Sequence, residues 1–417
     1  MALEEHAQNA KNEMFDESMS SFFRNVDNRG SDVPLYKSIQ HLRARAILVD
    51  MEEGPVSETL KGPLGELFDS SQFLTDVSGS GNNWAHGHAM YGPKYKEELL
   101  EKLRYATEMC DSLQSFFIMH SMGGGTGSGL GTYILSLLED NYPEVFRFTT
   151  AIFPSADDDV ITSPYNSMLA LRELTEHADC VLPIENEALF DIIDKHPSSG
   201  KETAFDKMNS IIARTLTHLT SSMRFEGSLN VDLNEITTNL VPFPKLHFLL
   251  SSLAPLWPDK QPRRISQLFL DVFQRDYQLI KTNPKSGMML ACGLLLRGNV
   301  AVSDIQSNIQ RIQADLRMIP WNSEGFKVGI CAVPALDHPV SLLSLSNNAC
   351  IVDTFERMQA RFDKLYRRKA HVHHYMDYME KSAFDEALEN IKWLIGEYHK
   401  LNDTIECAAP PRPKPLF

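Results

Sequence analysis

The stretch His120-Ser121-Met122-Gly123-Gly124-Gly125-Thr126-Gly127-Ser128-Gly129-Leu130-Gly131 decides how this chain is read. Ahead of it, Ser115-Phe116-Phe117-Ile118-Met119 is a short apolar run with aromatics and Ile, the composition of a buried strand closed by glycines. Behind it, Leu130, Tyr133, Ile134, Leu137 and Leu138 recur at helical spacing. The glycines therefore lie where a strand turns into a helix. There, backbone N–H groups can crowd round an anion, and the positive end of the helix adds to the attraction. Thr126 and Ser128 supply hydroxyls at the same point. A flexible turn would need fewer than the five glycines found between Gly123 and Gly129. The stretch reads as a phosphate cradle, with Ser121, Gly123, Gly124, Gly125, Thr126 and Gly127 as candidate contacts.

Two common cradles do not fit. A P-loop needs a Lys followed by Ser or Thr, and no Lys lies between Ser121 and Tyr133. A dinucleotide oxidoreductase needs a different glycine spacing from Gly125-Thr126-Gly127-Ser128-Gly129. Without a lysine, phosphate charge falls to amides, hydroxyls, the helix end and a magnesium ion. The run Gly-Gly-Gly-Thr-Gly-Ser-Gly resembles the signature of the tubulin family. That resemblance implies a loop gripping the phosphates of GTP, with Mg2+ beside them.

Composition sets wider bounds. At 417 residues the chain has room for a large core and two or three domains. A net charge of −15 disfavours a nucleic-acid partner, whose phosphates would repel it. The longest apolar run, near Met288–Leu296, stops at Arg297 and suits a buried strand better than a membrane span, so no membrane partner is expected. The six cysteines are scattered with no CxxC pair, the pattern of reduced thiols in the cytosol.

Further stretches extend the resemblance. Residues from Leu3 to about Phe23 look helical and amphipathic, and Arg24–Val33 looks like a polar loop. Strand Arg45–Val49 leads into Asp50-Met51-Glu52, acids at the end of a strand where α/β proteins hold ligands. The resemblance gives Asp50 and Glu52 to the magnesium and Gly81 and Asn82, in a small polar turn, to the γ-phosphate. Strand Phe146–Phe153 leads to an acidic loop in which Asp159 matches a family acid, while Ser163 stands where tubulins carry a ribose-touching Glu. After strand Cys180–Ile184, Asn186, Phe205 and Asn209 occupy the guanine positions. Phe205 and Asn209 are four residues apart and share a side of a helix of about 20 residues. An aromatic face with two amides matches guanine's carbonyl and N–H edge, and adenine would leave those groups unpaired. Phe205, Met208, Ile212, Leu216, Leu219 and Met223 are expected on one buried face of that helix.

The run Arg224–Pro244 resembles the tubulin segment that reaches the next subunit's nucleotide. There Glu235, with Asp232 beside it, matches the carboxylate that positions or deprotonates the attacking water. Leu253–Arg264 corresponds to a lateral-contact loop. Asn283–Lys285 and Met289–Gly298 fit the intermediate domain, and Lys369–Tyr375 fits the turn between the last helices. His86 with His88, and His371 with His373 and His374, need no metal in such a fold. Ser20–Asp27, Val49–Gly54 and Asp158–Ser167 resemble a family member associated with centrioles and basal bodies. The tail Cys407–Phe417 lacks the acidic run of bulk microtubule subunits.

The expected architecture is α/β: a doubly wound parallel-sheet GTP-binding domain at 1–204, a core helix at 205–224, an α+β intermediate domain at 225–350, and a C-terminal helical hairpin and tail at 351–417. The expected function is that of a cytoskeletal GTP-binding subunit of centrioles or basal bodies, partnering other tubulins and centriolar proteins and completing GTP hydrolysis between longitudinal neighbours. A non-polymerising GTP-regulated centriolar adaptor is the alternative. Tubulins carry a leading strand and a Gly-Gln-Cys-Gly phosphate loop before their first helix, whereas Met1 falls inside that helix. The resemblance thus implies a preceding strand and half a helix, and weak GTP binding for a chain that truly starts at Met1.

Overall fold

The computed structural model describes residues 1–10, 17–35, 37–155, 158–195, 203–257 and 264–403. Helix α1 (Ala2–Asn9) is followed by a small antiparallel sheet of β1 (Phe23–Val26), β2 (Asp32–Val33) and β3 (His41–Ala44), in the order β2-β1-β3. This corrects the expected long first helix and polar loop. Ser18, Ser20 and Ser21 favour caps and turns over helix interiors. Phe23 and Met19 close a small core with Leu35, which a strand reaches.

Five parallel strands come next, in two sheets. β4 (Leu48–Asp50) pairs with β5 (Phe73–Thr75), and β6 (Ser115–Ser121), β7 (Phe146–Phe153) and β8 (Cys180–Glu185) form the second sheet in that order. Helices α2 (Glu53–Lys61), α3 (Gly92–Glu108), α4 (Gly131–Asn141) and α5 (Ser163–His177) intervene, and α6 (Asn186–Asp194) follows β8. Leu130 and Leu137, at the start of and within α4, join Leu99 of α3 against Met51 and Leu74, so one layer of helices covers the β4–β5 sheet. β4 and β6 each pair on one side only; β6 keeps Met119 64% exposed. β8 is buried along its whole length, as a parallel strand covered on both faces should be.

Helix α7 (Ala204–Leu219) lies next to α6, and α8 (Ser221–Arg224) ends it. Its buried residues are Met208, Ile211, Thr215, His218 and Leu219, whereas Phe205 is 65% exposed. The expected apolar face was therefore rotated. The true stripe includes buried polar residues: Thr215 donates to the Ile211 carbonyl at 3.0 Å, and His218 Nε2 meets Ser341 Oγ at 2.6 Å.

Helix α9 (Leu233–Leu240) leads into a mixed sheet of β9 (Leu249–Ala254), β10 (Met289–Gly298), β11 (Phe326–Cys331) and β12 (Val340–Asn348), ordered β11-β10-β12-β9. Helices α10 (Ile265–Asp271) and α11 (Val302–Gln313) pack on it. β10 is buried throughout and runs past Arg297, the residue expected to stop it, because that guanidinium finds an acid inside. Glu5 of α1 reaches Arg297 Nη1 and Arg224 Nη2, each at 2.6 Å. Helices α12 (Val352–Tyr366), α13 (His373–Met376) and α14 (Ser382–Asp403) close the chain, and their Phe355, Phe362 and Phe384 share a core with Tyr165 of α5. Parts of the proposed lateral loop and the whole tail from Cys407 lie outside the described residues. Among the described residues no helix is long and apolar enough to cross a membrane, and five cysteines are unbridged.

Candidate nucleotide site

The parallel strands aim their C-terminal ends at one place. Ser121 of β6 is in register with Ile152 of β7, and Ile152 with Ile184 of β8. The chain therefore leaves this sheet at Met122, Phe153 and Glu185–Asn186 along a single edge, with Asn186 two strand spacings, roughly 10 Å, from the glycine turn. The other sheet ends there too. A Cβ on Gly79, past β5, would collide with the Glu52 carboxylate past β4. A Cβ on Gly125, past β6, would meet Ser80 Oγ and stand 2.5 Å from the Asn83 nitrogen. Ser80 Oγ lies 3.0 Å from Thr126 Oγ1. Three loops, after β4, β5 and β6, thus touch one another at the carboxyl ends of their strands, where open α/β sheets bind ligands.

Local sequence explains the shape. Gly81 and Asn82 are consecutive left-handed residues, with φ of 60° and 52°. Glycine adopts this freely, and asparagine is among the few side chains that tolerate it. The glycine turn enters α4 through a wide π-helical turn, Thr126–Leu130, and a second such turn, His86–Tyr91, precedes α3. They cross glycine to glycine: a Cβ on Gly129 would come within 2.9 Å of the His88 nitrogen. Such widened turns recur at functional sites.

The turn carries little positive side-chain charge. No lysine or arginine occurs from His120 to Gly131, and burial pushes the His120 imidazole down to about 4, leaving it neutral near pH 7. Ser128 does not supply the expected hydroxyl: it is fully buried and donates to the Gly124 carbonyl. Ser121 and Thr126 remain at least partly exposed, and Asn82 Oδ1 faces Gly124. Asp158 Oδ2 stands against Gly123, 2.9 Å from where a Cβ would be. Ser163 Oγ is buried beside Gly123 and has no hydrogen-bond partner among the described residues.

Asp50 ends β4 and Glu52 caps α2, and among the described residues neither has an ion-pair partner. Magnesium is commonly held by one or two protein carboxylates together with substrate phosphates and waters, so two unpaired acids beside a lysine-free cradle fit it. Farther along the edge, Asn186 opens α6, and Phe205 and Asn209 lie exposed on the first turns of α7. Among the described residues neither amide has an intramolecular partner.

Glu235 and Asp232 are not brought to this edge. Asp232 caps α9 by accepting from the Glu235 nitrogen at 2.7 Å, and the Glu235 carboxylate pairs with Lys327 of β11. Sequence reasoning passed over Ser80, Asp158 and Asn166. An Asn four residues into a helix otherwise apolar at Tyr165, Met168 and Leu169 was the signal for the last, since Asn is a poor interior helix residue.

Residues 2–194 match the family model described as Tubulin/FtsZ family, GTPase domain, and residues 244–360 match the Tubulin C-terminal domain. The chain belongs to the tubulin family. This tubulin is 52% identical to the mouse Tubulin epsilon chain, across 99% of this chain and 94% of that one. It is 52% identical to the human Tubulin epsilon chain, across 97% and 92%. The Tubulin alpha-3 chain of Saccharomyces cerevisiae is 35% identical, across 92% of this chain and 87% of its own length. As a tubulin it carries a GTP-binding domain, and the three converging loops lie within the segment matched to that domain.

Proposed function

We propose that this tubulin binds GTP across the carboxyl edge of its parallel strands and hydrolyses it only when a longitudinal neighbour supplies Glu235. The observation that carries the reading is the meeting of the loops after β4, β5 and β6 around a glycine turn without a cation. Backbone N–H groups of Gly123–Gly127, with Ser121, Thr126, Gly81 and Asn82, bind the phosphates. Asp158 or Asp159 lies beside them and Ser163 turns toward the sugar. Asn186 and Asn209 read guanine while Phe205 stacks on it. Asp50 and Glu52 are the carboxylates that would hold Mg2+, which supplies neutralising charge at the phosphates.

The reading gives Glu235 its role on another molecule. It sits on α9, away from its own chain's cradle, with Asp232 fixing the start of that helix. In the assembled state its carboxylate orients the attacking water and accepts its proton. The role assigned is that of a centriolar or basal-body microtubule subunit. It is supported by the resemblance of Ser20–Asp27, Val49–Gly54 and Asp158–Ser167 to the centriole-associated member of the family.

Glu235→Ala should leave GTP affinity of the single chain unchanged and lower turnover in the assembled state by about 10²-fold or more, the usual worth of a general base. The measurement is phosphate release per chain in sedimented assemblies. Wild-type turnover in such assemblies would remove Glu235 from the chemistry.

A further inference from the structure

Asn166 is 0% exposed and sits in the first turn and a half of α5, directly beneath the nucleotide loops. Its Nδ2 donates to the Asn82 carbonyl at 2.8 Å and to the Gly123 carbonyl at 2.8 Å. Its Oδ1 accepts from the Trp84 nitrogen at 2.9 Å and from the Tyr375 hydroxyl at 2.6 Å. Two donors and two acceptor positions are all that a carboxamide has, and every one is used. The orientation of the amide is unambiguous, because two partners are carbonyls that only accept and a third is a backbone N–H that only donates.

We infer that Asn166 is a positioning residue that holds the loop after β5 and the loop after β6 in one frame for the phosphates. The inference rests on the nucleotide site proposed above. Asn82, held at φ 52°, and Gly123, which opens the glycine turn, belong to different loops and share no strand pairing. Both carbonyls point inward to one NH2 group, so the amides of each loop face outward at a fixed spacing. Thr162 Oγ1 adds a second donor to the Asn82 carbonyl at 3.0 Å. The frame is also tied to the C-terminal hairpin: besides Tyr375, the side chain of Asn83 donates to the His374 carbonyl at 2.8 Å. The phosphate loops and the His371–Tyr375 turn are thus joined by hydrogen bonds through Asn83 and Asn166.

Asn166→Asp keeps the shape and removes both donations, turning two carbonyls toward an anion. Binding is measured by calorimetry for GTP and for GMP. The expected result is a loss of about 30-fold or more for GTP, roughly 2 kcal/mol, with GMP changed less than about threefold. Equal losses for the two nucleotides would mark a merely structural residue, and no loss for GTP would end the inference. Should Asn166→Asp fail to fold, Tyr375→Phe removes one acceptance from Oδ1 alone. It should weaken GTP about 3–10-fold with GMP unchanged, and an unchanged GTP affinity would overturn the proposal. Failure of the wild-type protein to bind GTP at all would instead refute the underlying site, and this inference with it.

Discussion

Gly125→Ala should abolish tight GTP binding while the fold survives. The added methyl would meet Ser80 Oγ, the Asn83 nitrogen at 2.5 Å and the Asn83 carbonyl at 2.9 Å. Two of these atoms are backbone, in a loop whose Asn83 is anchored to Ala85 and His374, so neither side can yield by a rotamer change. The loops after β5 and β6 must separate, and donors that converged on the phosphates no longer do. Losing two charge-assisted hydrogen bonds costs about 3–6 kcal/mol, or roughly 10²–10⁴ in affinity. Overpacking at this edge lowers stability by only about 1–3 kcal/mol. Calorimetry with GTP, alongside a thermal melt, separates the two effects. Wild-type affinity in a folded Gly125→Ala protein would show that the contact between these loops does not shape the site.

Glu5→Gln should lower stability sharply. Arg224 and Arg297 are fully buried, and the single carboxylate of Glu5, itself 2% exposed, lies 2.6 Å from each. The guanidiniums also sit over the Phe225 ring, at 5.0 and 5.8 Å from its centroid, and Arg297 donates to the Val333 and Pro334 carbonyls. Burial already weakens the Arg224 cation's hold on its proton. Removing the acid's charge leaves two cations in a dry interior, a situation that costs about 3–5 kcal/mol. Glutamine fills the same volume, so a cavity does not contribute. The melting temperature should fall by roughly 6–20 °C. Helix α1, which carries Glu5 and sets the His6 ring 4.8 Å from that of Phe225, should become accessible to protease. An unchanged melt would mean that the arginines are neutralised by something other than Glu5.

What could be read from the chain follows from what local pattern encodes. The glycine turn was legible because close backbone approach has a direct signature in glycine. β7 came out with the expected bounds, Phe146–Phe153, because aromatic and β-branched residues dominate it and mark a strand even with Arg147 inside. The buried face of α7 was misread because Thr215 and His218 are inside, bonded to Ile211 and Ser341, and polarity hides such positions from a hydrophobic count. β1 was missed because its strand character comes from pairing with β3, not from its own composition. The Glu5–Arg297 contact spans 292 residues, beyond any local pattern. At the site, the strand-end position of Asp50 and Glu52 and the amide chemistry of Asn186 and Asn209 suggested ligand contacts, and the match to the tubulins gave each a specific role. Asn166 acts through two carbonyls that no side-chain motif reveals.

The central claim is that the edge formed by these five strands holds a guanine nucleotide. Titration of the purified protein with GTP and, separately, ATP, each with magnesium, tests it most directly. One GTP per chain and no comparable binding of ATP are expected, because Asn186 and Asn209 are the residues proposed to read guanine's edge. A protein that ignores GTP, or takes both nucleotides equally well, would contradict it.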